Sequence, residues 1–251
     1  VEETNAALEI AVAEPVAVTG ELAELVEELD HRGIRLLREV LGRPLSHGPT
    51  EVTEAEAARL TETYRTFLDV VGDGVTLTAA GYLPPAVVEQ VAERTGVAAW
   101  WFGKANREDL TFPVAGIRTT ARALGLVSVR KGRLSPTAAA IRCGHDPQAL
   151  LHHIVGRLPL GTKDAERQAG WLALAVAGSG TPAQDWRSEI SDLMFALGWR
   201  RGHDRYSTPP AASATLGVLE QLAGASRVRW REITGTDFAV TAAARAVVRR
   251  T

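Results

Sequence analysis

Between Lys104 and Arg142 eight basic side chains (Lys104, Arg107, Arg118, Arg122, Arg130, Lys131, Arg133 and Arg142) stand against Glu108 and Asp109, a balance of +6 in 39 residues. The chemistry that guanidinium and ammonium groups share is pairing with anions, and the phosphate backbone of duplex DNA is a ligand that engages several at once. Arg118 and Arg122 are four residues apart and would lie together on one helix face. Arg130, Lys131 and Arg133 flank Lys131-Gly132, a turn between two alternating stretches, and would sit at the tip of a hairpin. A solvated basic face with no ligand has the same composition.

Beside this block stands the aromatic run Trp100-Trp101-Phe102, with Lys104 and Arg107 close by. Aromatic faces interleaved with bases can stack nucleobases, but large aromatics between packed helices serve more often as core. Trp230 alternates with Arg227, Arg229 and Arg231, so in a strand it would face the core and leave the arginines outward.

Other constellations fall short of catalysis. Cys143, His145, His152 and His153 resemble a partial metal set, but adjacent histidines on a helix diverge by about 100°, and a zinc site needs four convergent ligands. Cys143 with a histidine lacks an orienting third group. Gly178-Ser179-Gly180-Thr181-Pro182-Ala183 fits a dinucleotide-type glycine pattern only nominally, because Pro182 interrupts it and no strand-helix-strand context surrounds it. It reads better as a turn between helices. No catalytic residue, metal or cofactor is expected, and the chain does not read as an enzyme.

The elements that must carry these residues follow from periodicity and caps. Residues 20–42 have helical spacing of apolar positions, interleaved with charge. Thr53 and Glu56 form a capping box opening a helix that Gly72-Asp73-Gly74 stops. Pro84-Pro85 starts another helix, ended by Gly96, and a further one runs from about Pro113 to a C-cap at Gly125, with Val114, Ile117, Ala121 and Leu124 inward. Leu126 to Ser135 reads as the hairpin. Asp146-Pro147 opens a helical stretch to about residue 200, with helices over 165–177 and 182–197.

Three similar signatures, Leu77-Thr78-Ala79-Ala80-Gly81, Leu134-Ser135-Pro136-Thr137-Ala138 and Val240-Thr241-Ala242-Ala243-Ala244, each follow a glycine-bearing turn. The expectation is that Thr78, Ser135 and Thr241 each cap a helix directly after a strand. That arrangement closes a winged helix-turn-helix unit, and the second unit would use strands at Arg227–Glu232 and around Phe238 and Val240. The expected fold is mainly α with small β-hairpins, an α+β chain of tandem winged-helix-like units around a helical middle. Its parts would be an acidic helical segment at 1–50, a first winged-helix-like region at 51–146, the helical middle at 147–208 and a second unit at 209–251.

Overall charge is close to balanced, at -2, but unevenly spread: residues 1–62 hold 14 acidic and 5 basic side chains (-9), and the rest hold 16 and 23 (+7). Such asymmetry points to an acidic segment joined to a surface for nucleic acid or another acidic partner. One cysteine in 251 residues fits a reducing compartment. No apolar stretch is long enough for a membrane span. A cytoplasmic location without membrane contact is expected.

Three runs carry a resemblance: Leu77-Thr78-Ala79-Ala80-Gly81-Tyr82-Leu83-Pro84-Pro85, Gly103-Lys104-Ala105-Asn106-Arg107-Glu108-Asp109-Leu110 and Ala121-Arg122-Ala123-Leu124-Gly125-Leu126. Over about residues 60–160 the chain resembles the C-terminal region of actinobacterial plasmid ORF-three-like proteins, the passenger proteins of a transposable element. That resemblance implies plasmid or mobile-element association and no defined activity. The expected function is nucleic-acid binding, with Arg118 and Arg122 on the helix, Arg130, Lys131 and Arg133 on the wing, and Lys104 and Arg107 alongside. The alternative is a protein-interaction or scaffold module that binds a partner protein or itself.

Overall fold

The computed structural model describes residues 14–199, 213–229 and 232–250. Among them are eleven α-helices and a three-stranded antiparallel sheet. The mainly α, α+β class expected from the sequence is therefore present.

The N-terminal stretch expected as one helix is two, α1 (Gly20–Glu28) and α2 (His31–Leu41). Asp30 makes the break: its carboxylate accepts from the Gly33 N–H at 2.6 Å and caps α2, an alternative to continuing the helix that short acidic side chains offer the backbone. Helix α3 (Glu54–Val71) begins at the Thr53/Glu56 capping box. Strand β1 (Val75–Thr76) follows, then α4 (Pro85–Thr95), ended by Gly96 at φ +88°, and α5 (Phe112–Ala123).

Strands β2 (Val127–Arg130) and β3 (Arg133–Pro136) form the hairpin, with Arg130 opposite Arg133 and Val129 opposite Leu134. Lys131 and Gly132 both have positive φ, +48° and +73°, as a two-residue turn of type I′ requires. β1 pairs with β3, so the sheet order is β1-β3-β2.

Helices α6 (Ala138–Cys143) and α7 (Pro147–Arg157) lead to α8 (Asp164–Gly178), buried along most of its last three turns. Around α8 pack α9 (Trp186–Ala196), α10 (Ser213–Leu222) and α11 (Phe238–Val248). α3 contacts α4, α5, α7, α10 and α11. One apolar core thus runs from Leu22 to Val248, joining the sheet-bearing region to the α8 bundle.

The repeat of three capped helices is not present. Thr78 closes a turn, its hydroxyl accepting from the Tyr82 N–H at 3.1 Å, and α4 waits until Pro85 because a residue before proline is driven out of helical geometry. Ser135 lies inside β3, held extended for the same reason by Pro136. The cap is Thr137, whose hydroxyl accepts from the Ala140 N–H and donates to the Gly125 carbonyl at 2.7 Å. Thr241 is buried within α11, which Asp237 caps through the Ala239 and Val240 N–H groups.

The second expected unit loses its strands as well. Phe238 and Val240 belong to α11, and 227–229 and 232–237 form no strand. With the return segment helical, the alternating run at 227 has no neighbour to pair with. Trp230 and Arg231 lie outside the described residues.

Candidate nucleic-acid interface

Helix α5 is seated by Val114, Ile117, Ala121 and Leu124, all fully buried. Its opposite side is a ridge of Phe112, Ala115, Thr119, Arg122 and Ala123, in which Phe112, Thr119, Arg122 and Ala123 are exposed. On one flank of this ridge Gly81, Tyr82, Asp109, Arg118 and Arg122 line a shallow depression of about 550 Å³. On the other flank α5 faces α10 across a second cleft.

The seven bases singled out from the sequence separate into distinct roles. Arg130, Lys131 and Arg133 are exposed around the hairpin tip. Neither they nor Arg122 pair with an acid among the described residues. Arg133 also donates to the Asp73 carbonyl at 3.3 Å, steadying the hairpin on the 72–74 turn. That turn approaches closely: a Cβ on Gly74 (φ +126°) would sit 2.3 Å from Ser135 Oγ.

Arg118 does something else. Its side chain is 13% exposed and pairs at 2.6 Å with Glu108, itself 5% exposed. A second nitrogen donates to the Gly81 carbonyl at 3.0 Å, while Glu108 also accepts the Leu83 N–H at 2.6 Å. Arg118 therefore ties α5 to the 81–83 segment and to the loop before the helix. The expectation that it faces outward with Arg122 is corrected, because the buried carboxylate of Glu108 draws the guanidinium inward. Among the described residues Arg122 is the base on the ridge without an acidic partner.

Lys104 is exposed in the 101–110 loop, without a salt-bridge partner among the described residues. Arg107 in the same loop pairs with Asp109 at 2.7 Å. The hydrogen bond to Asp109 raises the Arg107 pKa, and Arg107 in turn lowers that of Asp109. At the surface such a pair competes directly with any phosphate. The 77–82 turn bridges the two basic parts: the Leu77 N–H donates to the Gly132 carbonyl at 2.8 Å, and Gly81 meets Arg118. The 77–82 turn thus touches both the hairpin tip and α5.

The aromatic run divides. Trp100 and Trp101 are half-buried and pack against the core, with the Trp100 indole N–H donating to the Ser226 carbonyl at 3.0 Å. Phe102 is 83% exposed, with the Arg229 guanidinium 5.3 Å from its ring centre. Leu110 and Phe112 are exposed too, at 54% and 68%.

No three potential ligands of the histidine, cysteine and carboxylate kind come together among the described residues. The His153 ring instead hydrogen-bonds the Leu124 carbonyl at 2.9 Å. Burial pushes the Cys143 thiol up, away from the thiolate that nucleophilic chemistry needs. Gly178 ends α8 and Ser179 follows as its C-cap, so the glycine pattern lies in the turn between α8 and α9. Among the described residues no helix is long and apolar enough to cross a membrane.

Sequence reasoning missed Glu108 as the partner of Arg118, because a contact between a loop residue and a helix residue ten positions on leaves no periodic signal. It also missed the cleft between α5 and α10. The visible trace of that cleft is the density of small residues on both helices, Ala115, Gly116 and Ala123 against Ala214 and Gly217. No family model, curated protein or solved structure matches the chain.

Proposed function

We propose that residues 54–136 form a winged-helix unit that binds duplex DNA, α5 lying against a groove and the β2–β3 hairpin against the phosphates. The observation that carries this reading is the hairpin tip: Arg130, Lys131 and Arg133 are exposed and unpaired with acids among the described residues. The order α3, β1, α4, α5, β2, β3 and the sheet order β1-β3-β2 support it, since a helix feeding directly into a hairpin is the sequence of elements such a reader of the major groove needs. The ridge of Ala115, Thr119 and Ala123 is low enough to approach base edges closely. Thr119 can reach a thymine methyl or a base edge, and Arg122 beside it can pair with a phosphate.

Part of the acidic charge of α1 is engaged within the fold. The helix packs on α2 and α8, where Glu21 pairs with Arg167 and accepts the Trp171 indole N–H. Association with a plasmid or mobile element rests on the resemblance over residues 60–160 alone, and a DNA-binding unit suits it. The protein-interaction alternative draws on one observation, the exposed Phe102, Leu110 and Phe112 beside α5, because exposed apolar groups gathered at one place mark partner surfaces. Titrating labelled duplex with the protein at several salt concentrations separates the two. Salt-sensitive binding supports the DNA reading, and absence of binding at low salt leaves the partner-protein reading.

A further inference from the structure

The second flank of α5 carries an inference independent of DNA binding. Between α5 and α10 lies a cleft of about 590 Å³, a size typical of small-molecule sites. One wall is aromatic: Trp101 stands edge-on to Trp100 at 5.8 Å and to Phe112 at 6.1 Å, and such rings favour further stacked or edge-on aromatic contact. The floor lacks side-chain bulk. A Cβ on Gly116 would meet nothing within 4 Å, while one on Gly217 would lie 3.3 Å from Thr120 Cγ2, so the helices approach closely at one level and leave open space at another.

The polar end of the cleft is charge-balanced. Arg187 and Glu220 pair there at 2.5 Å, and burial raises the Glu220 carboxyl in spite of Arg187, the mark of an enclosed, weakly polar setting. Gln221 lines the same space, is 8% exposed, and its carbonyl oxygen has no hydrogen-bond partner among the described residues. A buried acceptor left unpaired is costly, and a ligand N–H would satisfy it once the Gln221 amide turns toward the cleft.

We propose that this cleft binds an uncharged, flat aromatic molecule carrying an N–H donor, of the kind a two-ring lactam represents. The rings lie against Trp101 and Phe112 over the small-residue floor, and the N–H donates to the Gln221 carbonyl. Neutrality follows from the Arg187–Glu220 pair, which leaves neither charge in need of a counter-ion.

Calorimetric titration of the full chain with carbostyril, N-methylcarbostyril and quinaldate tests the site. Carbostyril should bind with one-to-one stoichiometry, the N-methyl compound roughly fivefold more weakly for want of the donor, and the anion more weakly than carbostyril. Gly116→Leu fills the open space and should abolish binding. Its melting temperature should be unchanged or higher, because leucine is the better helix former. Gln221→Leu should remove the difference between the two lactams. Absence of carbostyril binding, undiminished binding by a folded Gly116→Leu variant, or a preference for quinaldate would overturn the assignment.

Discussion

Replacing Arg118 by alanine should damage the fold and leave the proposed phosphate contacts untouched. Arg118 is the buried partner of Glu108 and also satisfies the Gly81 carbonyl. Without it, a carboxylate 5% exposed keeps, among the described residues, the hydrogen bond from the Leu83 N–H. Removing one member of a buried ion pair costs about 3–5 kcal/mol, most of it the penalty on the charge left behind. Chemical denaturation should therefore show Arg118→Ala destabilised by about that amount. Glu108→Gln keeps an acceptor for Leu83, so the double variant should fall short of the sum of the two single losses by at least about 1.5 kcal/mol. Where the single variant remains folded, its DNA affinity should depend on salt as the unmodified chain's does. A loss below about 1 kcal/mol, in the range of exposed pairs, together with a flatter salt dependence, would refute the inward placement of Arg118 and return it to the DNA-contacting set.

Further outcomes follow from caps and turns. Thr137→Ala should cost about 1 kcal/mol while Ser135→Ala stays nearly neutral, checked by denaturation of both variants. Lys131→Gly should stabilise by about 1 kcal/mol, because a non-glycine residue in the left-handed region is disfavoured, and should still weaken DNA binding through loss of the ammonium group; thermal melts and a DNA titration read the two effects. Burial raises the Asp237 carboxyl, but Arg59 and the Val240 and Ala239 N–H groups outweigh it and the net shift is downward. Its contribution is thus present above the unfolded value of about 3.9 and lost as pH falls through the lower folded one. The stability gap between the unmodified chain and Asp237→Asn should accordingly be widest near neutrality and shrink with acidification below about pH 4.

What was legible in the sequence was local. The Thr53/Glu56 box, the Asp146-Pro147 start, the glycine stops at 96 and 125 and the Lys131-Gly132 hairpin each depend on neighbours a few residues away, and the structure shows each one. The repeat failed because its signature gave Ser and Thr the same meaning in three different settings. Pro84-Pro85 postponed the helix expected after Thr78, Pro136 held Ser135 extended, and a stronger cap at Asp237 displaced Thr241 into the helix. Arg118 was misplaced for a related reason. Helical spacing with Arg122 states that two residues lie near each other along the axis, but about 40° separates positions four apart, enough for one to turn to a buried acid and the other to water. The cleft needs α5 and α10, nearly a hundred residues apart, to be brought together, and no local pattern reports that.

The salt dependence of duplex binding tests the central claim most directly. With Arg122, Arg130, Lys131 and Arg133 as the phosphate-contacting set, the slope of log affinity on log salt should be about -3.6, at about -0.9 for each contact. Lys131→Ala with Arg133→Ala should bring it to about -1.8, and the weakening should be the same on unrelated duplex sequences, because phosphate contacts carry no sequence information. An unchanged slope in that double variant, or no binding of duplex by the full chain at low salt, would contradict the account.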